Sequence, residues 1–333
     1  MSKGLLLLNL GSPNAPERSA VARYLRQFLS DPRVIDIPAI PRALLVNGII
    51  APFRSGKSAR AYRSVWTDRG SPLLSHSRDL SESVQSLLGT GWKVALGMRY
   101  GNPSTESALQ ELVQAGCDRI AVLPLYPQYS SATTGSSLEE VWRVAGKLWN
   151  TPYLSVVPPF HDNEGYLAAT AAPIRSALEK APEAHVLFSF HGLPERQVRK
   201  GSDACLKDGC CDQVKPHCYK SQCHATARAL AHRLDLSPEC WHISFQSRLG
   251  RDPWIGPSTE NMTKELASKG VTSLVVAAPS FVADCLETLE ELNDRLRATF
   301  MAAGGSSFHV APCPNSDPAW AQAVADLARI SLG

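Results

Sequence analysis

Short apolar runs alternate with longer amphipathic segments along the whole chain. The runs have the length of β-strands, and the segments between them repeat apolar positions at helical spacing. This alternation predicts an α/β fold in which parallel sheets are covered by helices. The predicted strands are residues 4–9, 92–98, 119–123, 153–157, 185–190, 241–245, 273–277 and 308–311.

The eight predicted strands divide into two halves near residue 155. We therefore expect two Rossmann-like domains, residues 1–155 and 156–313, each a four-stranded parallel sheet flanked by helices. The last helix, residues 314–333, is expected to pack on the first domain. Because open α/β sheets bind ligands at the carboxyl ends of their strands, we expect the site in the cleft between the domains. The predicted helices are residues 17–29, 77–88, 104–115, 138–148, 165–180, 221–234, 258–269, 283–301 and 318–330.

One segment, residues 43–53, is apolar without a polar face and is expected to be broken at Gly48 and Pro52. It lies on a membrane surface or covers an apolar cleft. Alternatively, it forms an ordinary buried helix. No stretch has the roughly 20 apolar residues of a membrane span. The apolar residues 5–8 are followed by a turn rather than by a cleavage site, so we expect a buried first strand and not a signal peptide.

The 34 basic and 31 acidic residues leave a net charge of +3 and look well mixed, so nucleic acid is not an expected partner. No strand is followed by the G-x-G-x-x-G turn of dinucleotide-binding proteins. Gly56, Lys57 and Ser58 resemble a phosphate-binding loop, but Ala51 stands where its first glycine would be. Nucleotide binding is therefore not the leading hypothesis.

Ionisable side chains follow two of the predicted strands. His191 ends the strand at residues 185–190, and Asp284, Glu287 and Glu291 form one stripe of the predicted helix after the strand at 273–277. Acids and a base at strand ends predict metal and proton chemistry. Alternatively, the histidine only makes structural hydrogen bonds and the acids only favour the helix N-terminus.

Nine cysteines without an export signal indicate thiols kept reduced in the cytoplasm. Four are scattered and have the pattern of small core residues. The other five fall within nineteen residues, at Cys205, Cys210, Cys211, Cys218 and Cys223.

Long motifs at the strand ends are similar to those of ferrochelatases, the enzymes that insert ferrous iron into a porphyrin. The resemblance runs nearly end to end and in the same order. Its motifs are LLNLGSP, WTDRGSPL, MRYGNPS, YPQYSSATTGSS, SFHGLPER, FQSRLGRDPWIGPST and PSFVADCLETLEEL.

The resemblance implies two Rossmann-like domains of the class II chelatase type with the porphyrin between them. His191 matches the active-site histidine of the family, and Glu287 matches the acid that faces it across the porphyrin. Asp284 and Glu291 match the acidic companions of Glu287, and the resemblance implies that Fe²⁺ meets His191 and all three acids. The residues that match porphyrin contacts are Leu10, Ser71, Arg99, Tyr100, Gln246 and Trp254.

Metal insertion requires a base because two pyrrole protons must leave the porphyrin. A neutral imidazole accepts such a proton at physiological pH, and His191 is the predicted base. Carboxylate oxygens hold Fe²⁺ loosely enough to release it to four nitrogens.

The clustered cysteines lie in an insertion, residues 200–223, that most of the family lacks. Its spacing resembles that of bacterial members with an internal [2Fe-2S] cluster. Cys205, Cys218, Cys223 and one of Cys210 and Cys211 are the predicted ligands, while zinc and inert thiols stay open.

Leu10 stands where the coproporphyrin-metallating branch of the family has a tyrosine. Protoporphyrin is therefore the predicted substrate, and a contact of residues 43–53 with the inner face of the membrane fits this apolar molecule. The alternatives are a coproporphyrin enzyme and a non-catalytic tetrapyrrole-binding or iron-sulfur sensor protein. The sequence leaves monomer and homodimer open.

Overall fold

The computed structural model describes residues 2–201, 205–207, 209–248, 250 and 252–333. The chain forms two compact units. The first comprises Met1–Tyr126, Ser130–Pro159 and Asn315–Gly333, and the second comprises Pro127–Tyr129 and Phe160–Pro314. The domain boundary near residue 155 stays a prediction.

A four-stranded parallel sheet forms the centre of the first unit. Its strands are β1 (Ser2–Ser12), β2 (Trp92–Gly101), β3 (Cys117–Pro124) and β4 (Tyr153–Val156), in the order β2-β1-β3-β4. Leu5, Leu6, Leu7 and Leu8 of β1 have no exposed surface. Because successive side chains of a strand point to opposite faces, this run requires helices on both sides of the sheet.

Helices cover both faces of this sheet. The chain is helical from residue 39 to residue 65, with a wider π-helical turn in the middle. That turn ends two residues before Pro52, which has no N–H to donate to a helix. The helices are α1 (Arg18–Leu29), α2 (Ala39–Leu44), the π-helix Leu45–Ile50, α3 (Ala51–Val65), α4 (Pro72–Leu88), α5 (Thr105–Gln114), the π-helix Ser131–Gly135, α6 (Ser136–Ala145) and α12 (Pro318–Leu332).

The second unit repeats the architecture. Its parallel sheet contains β5 (His185–His191), β6 (Trp241–Gln246), β7 (Ser273–Ala277) and β8 (Ser307–Val310), in the order β6-β5-β7-β8. Its helices are α7 (Glu164–Lys180), α8 (Glu195–Arg199), α9 (Tyr219–Arg233), the 3₁₀-helix Pro238–Cys240, α10 (Thr259–Ser268), the π-helix Glu287–Leu296 and α11 (Arg297–Ala302).

The predicted fold class is confirmed, since all eight predicted strands are present in two parallel sheets. Two expectations about helices were wrong. Residues 43–53 are not broken at Gly48 and Pro52 but lie inside the helical stretch 39–65. The acidic helix begins near residue 287 rather than 283, so Asp284 precedes it. Hydrophobic spacing alone does not report these limits because strand-to-helix loops can also be buried.

None of the helices among the described residues combines the length and hydropathy needed to cross a membrane.

Candidate functional site

His191 is the last residue of β5, and its backbone is held from two sides. Its N–H donates to Ser280 Oγ (3.2 Å), and the Tyr219 hydroxyl donates to its carbonyl oxygen (2.8 Å). Tyr219 and Ser280 also hydrogen-bond to each other at 2.9 Å. These contacts fix the point at which the chain leaves the sheet. Sequence reasoning missed both residues, although Ser280 follows a strand end within the PSF motif.

The imidazole of His191 is held in one tautomer. Its Nδ1 lies 2.6 Å from the carbonyl oxygen of Gly192. A carbonyl oxygen only accepts hydrogen bonds, so Nδ1 carries the proton and Nε2 of the neutral ring keeps a free lone pair. Nε2 is therefore the atom of this residue that can take up a proton.

Glu287 and Glu291 belong to a ten-residue π-helix, Glu287–Leu296. A π-helix is rare at this length, and π-turns concentrate at functional sites. Burial and the nearby Glu291 carboxylate raise the pKa of Glu287, against the opposing influence of a Cys285 hydrogen bond and of His191. Glu287 thus holds a proton more readily than an ordinary carboxyl group, and it lies close enough to His191 to interact electrostatically.

Glu291 is held by two neighbouring side chains. Its Oε2 accepts a hydrogen bond from Ser247 Oγ (2.5 Å), and its Oε1 pairs with Arg295 Nη2 (3.0 Å). Ser247 has a φ of 65°, a left-handed conformation that is uncommon for serine. Such backbone conformations cluster at functional sites, where the surrounding structure enforces them. Ser247 was also missed from the sequence, in which only its position after Gln246 signals it.

Asp284 differs from its two companions. Its carboxylate is buried, and Oδ1 accepts hydrogen bonds from Thr288 Oγ1 (3.0 Å) and from the backbone N–H of Cys313 (3.2 Å). It ties the start of the π-helix to the segment after β8. The predicted single stripe of three acids was therefore wrong for Asp284, because residue 284 lies outside the helix. Within the described ranges, no three His, Cys, Asp or Glu side chains converge at metal-ligand spacing.

Gln246 and Trp254 flank the histidine. Gln246 lies opposite His191 in the β5–β6 pairing, and its Oε1 accepts a hydrogen bond from Ser189 Oγ (2.6 Å). Its Nε2 is buried and has no hydrogen-bond partner in the described part of the chain. Trp254 lies against Gly192, where an added Cβ would be 3.1 Å from the indole Cε3 atom. Glycine at 192 therefore allows the indole to approach the backbone beside His191.

The first unit holds the other predicted porphyrin contacts, and two of them join a buried carboxylate. Asp31 Oδ2 accepts hydrogen bonds from Arg99 Nη2 (2.6 Å), the Tyr100 hydroxyl (2.8 Å) and Ser136 Oγ (2.6 Å). Burial acts to raise the pKa of Asp31, but its hydrogen bonds and Arg99 together lower it. Asp31 was missed from the sequence, where only its place after α1 marks it.

Ser71 and Leu10 make no polar contact with this network. Ser71 is buried and precedes α4, and Leu10 follows Asn9, whose Oδ1 accepts its backbone N–H (2.8 Å). The structure thus brings His191, Glu287, Glu291, Gln246 and Trp254 together in the second unit and Arg99 with Tyr100 in the first. The roles of these residues stay predictions.

The five clustered cysteines also gather in space. Cys210 Sγ and Cys211 Sγ lie 3.7 Å apart. Cys205 interacts electrostatically with Cys210 and Cys218, and Cys223 interacts with Cys211 and Cys218. Burial raises the thiol pKa values of Cys205 and Cys223, and burial together with Cys210 raises that of Cys211 to about 12. Residues 202–204 and 208 of the predicted insertion lie outside the described residues.

Comparisons with solved structures agree with the fold. SirB from Bacillus subtilis with Fe³⁺ matches with a TM-score of 0.60 at 12% identity, covering 100% of this chain and 96% of that one. CbiX, described as the terminal enzyme of siroheme biosynthesis in denitrifying bacteria, matches with a TM-score of 0.51 at 15% identity, covering 99% and 100%. At these identities the likeness concerns the fold alone.

Sequence comparisons are more specific. A family model described as ferrochelatase matches residues 2–332. A ferrochelatase of Legionella pneumophila is 45% identical over 330 residues, covering 98% of both chains. A ferrochelatase of Ectopseudomonas mendocina is 47% identical over 327 residues, covering 96% of this chain and 95% of the relative. Because the family model and both relatives extend over nearly the whole sequence, the chain belongs to the ferrochelatase family.

Proposed function

We propose that this ferrochelatase inserts Fe²⁺ into protoporphyrin IX to give protoheme, with release of two protons. The observation that carries the proposal is the pairing of a histidine whose Nε2 is free with a carboxyl group whose pKa is raised. Metal insertion consumes no electrons, so the protein has only to bind, orient and move protons. A base and a proton-holding acid that interact electrostatically suit that task.

In this mechanism, His191 Nε2 takes a proton from one pyrrole nitrogen. The N–H bond breaks, and its electron pair stays on nitrogen and becomes a bond to iron. Glu287 then takes this proton from His191 and passes it to Glu291, which is held by Ser247 and Arg295 and is partly exposed, so the proton leaves to solvent and His191 becomes a base again. The second pyrrole proton leaves in the same way, so the two nitrogens lose two protons as Fe²⁺ enters.

Other residues would position the macrocycle. Trp254, packed on Gly192, presents an aromatic face beside the base. The unpartnered Nε2 of Gln246 is a buried donor that a polar atom of the substrate can satisfy, which would remove the cost of leaving it unpaired.

The substrate prediction is tested by anaerobic assays with protoporphyrin IX and coproporphyrin III in parallel. Leu10 is an apolar residue near the end of β1, so we expect protoporphyrin to have the higher kcat/KM. A higher kcat/KM for coproporphyrin would assign the protein to the coproporphyrin-metallating branch of the family. If neither porphyrin were metallated, a non-catalytic tetrapyrrole-binding or sensor role would replace the proposal.

We further propose that the clustered cysteines hold a [2Fe-2S] cluster. The supporting observation is that all five thiols interact within one short stretch, although no three of them stand at metal-ligand spacing. Cys205, Cys218, Cys223 and one of Cys210 and Cys211 would bind it as thiolates, and binding would draw these sulfurs together. The group would stabilise the segment and takes no part in proton transfer.

The expected result for the cysteines is spectroscopic. Protein purified without oxygen should show visible absorption with iron and acid-labile sulfide in equal amounts, and Cys205→Ser should remove all three. Cys240→Ser is the matched control because Cys240 lies outside the cluster and is partly exposed. Zinc without sulfide would indicate a zinc site. A metal-free wild type, together with unchanged stability of Cys205→Ser, would show that the thiols are inert and bind no metal.

The stretch 39–65 supports a peripheral membrane contact. It exposes Ile40 (76%), Leu44 (69%), Ile49 (57%) and Phe53 (79%) to solvent. Such a row of large apolar side chains on one helical stretch is typical of a surface that lies on a bilayer. We propose that residues 43–53 contact the inner face of the cell membrane, from which an apolar porphyrin would be collected.

A further inference from the structure

An open groove separates α1 from α3 in the first unit. Its volume is about 590 Å³, and the side chains along it come from one face of α1 and the start of α3. Arg18 crosses the groove, donating from Nη2 to the carbonyl oxygen of Pro52 (2.9 Å) and from Nε to Ser55 Oγ (3.3 Å). Arg23 and Arg26 stand beside it on α1, and none of the lining residues is acidic.

The charges of the groove are not neutralised. Arg18 donates to uncharged oxygens, and Arg23 and Arg26 are exposed and make no ion pair with any described residue. Residues 18–65 contain nine basic and two acidic residues, a net charge of +7 in a chain whose total is +3. One of those two acids, Asp31, is already bound by Arg99. The expectation of evenly mixed charge was therefore wrong for this stretch.

The cationic groove borders the helical stretch 39–65, which carries the exposed apolar side chains. Phe53 (79% exposed) directly follows Pro52, which lines the groove, and Arg54, Lys57 and Arg60 continue along α3 without ion pairs in the described part of the chain. A helix that combines large apolar residues with arginine and lysine binds at the interface of an anionic bilayer. Nucleic acid would bind the basic side chains but would leave the large apolar residues exposed to water, so a bilayer fits this surface better.

We propose that the groove between α1 and α3 binds the phosphodiester headgroup of an anionic phospholipid. Arg23 and Arg26 present planar guanidinium groups, which donate in pairs to phosphate oxygens, while Arg18 keeps the two helices in place. The acyl chains then lie beside Phe53 and Ile49. This inference rests on the proposed membrane contact and gives it a lipid class and a binding residue set.

Co-sedimentation with vesicles of phosphatidylcholine alone, and of phosphatidylcholine with phosphatidylglycerol, tests the proposal. The wild type should bind the mixed vesicles more tightly, and the preference should fall as sodium chloride is raised. Arg23→Gln/Arg26→Gln should weaken binding to mixed vesicles about thirtyfold and leave binding to neutral vesicles unchanged. The matched control is Arg78→Gln/Lys147→Gln, which removes two exposed charges outside the groove and should have little effect.

The outcomes separate this inference from the membrane contact itself. Equal binding to both vesicle types would overturn the headgroup site and keep the contact, and Phe53→Ser should then weaken both. No binding to either type would overturn both proposals.

The variants test the groove itself. An equal loss of binding in both double variants would show a general charge effect and would also overturn the headgroup site. If inorganic phosphate inhibited vesicle binding more than sodium chloride does at equal ionic strength, the ligand of the groove would be a free anion rather than a lipid headgroup. Unchanged melting temperatures establish that each variant is folded.

Discussion

Replacing His191 with alanine is expected to lower kcat for iron insertion by about two to four orders of magnitude. The variant loses Nε2, whose lone pair is not used by the hydrogen bond to Gly192, and with it the imidazole that interacts electrostatically with Glu287. Porphyrin binding should persist, because the backbone of residue 191 would still be held by Ser280 and Tyr219. The measurement is anaerobic single-turnover kinetics, with porphyrin binding followed by fluorescence quenching.

Two variants on the π-helix serve as comparisons for His191→Ala. Glu287→Gln keeps the size of the side chain but cannot exchange a proton, so it should also reduce kcat strongly. Glu290→Gln removes an acid that pairs with Arg295, and its effect should be small. If His191→Ala retained wild-type turnover while Glu287→Gln did not, the base would have to be another group and the proposed roles would be wrong.

Replacing Gly11 with alanine is expected to destabilise the first unit by about 3–5 kcal/mol. Gly11 has a φ of 107° and pairs with Tyr100 between β1 and β2. An added Cβ would lie 1.7 Å from the carbonyl oxygen of Tyr100, a distance that only movement of the two strands can relieve. The positive φ adds strain for any residue with a side chain. The melting temperature should fall by on the order of 10 °C.

The control for this substitution is Gly56→Ala. Gly56 lies inside α3 with open space around its Cα and with an ordinary helical φ. Alanine there should raise stability by about 0.5–1 kcal/mol because it has the higher helix propensity. A Gly11→Ala protein that melted within a degree of the wild type would contradict the strain argument.

The effect of Gly11→Ala should reach the Asp31 network. Tyr100 donates to Asp31 and follows Arg99, so a shift of β2 at residue 100 would disturb two of the three hydrogen bonds to one buried carboxylate. A buried charge without its partners is costly. Loss of stability in this variant would therefore exceed the local strain alone.

The two units share a sheet order but use their strand ends differently. In the first, the end of β2 carries Arg99 and Tyr100, which bind Asp31. In the second, the end of β5 carries His191, which interacts electrostatically with Glu287 of the π-helix. The same topology thus carries a buried ion pair in one unit and a histidine near a buried carboxyl group in the other, and the side chains at the strand ends make the difference.

The sequence by itself determined the positions of the eight strands, the parallel sheets and the place of His191 at a strand end. It did so because strands buried on both faces need continuous apolar runs, and these are local patterns. The long motifs of the ferrochelatase family were equally visible in the one-dimensional chain.

Only the tertiary structure decided which polar groups meet. The tautomer of His191 depends on the position of the Gly192 carbonyl oxygen, and the raised pKa of Glu287 depends on burial and on Glu291. Asp31 and Arg99 are separated by 68 positions, and Asp284 is bound to a backbone group 29 positions away. Hydrophobic periodicity reports how a segment is buried on average. Hydrogen bonds between distant segments are set by packing that no local pattern encodes.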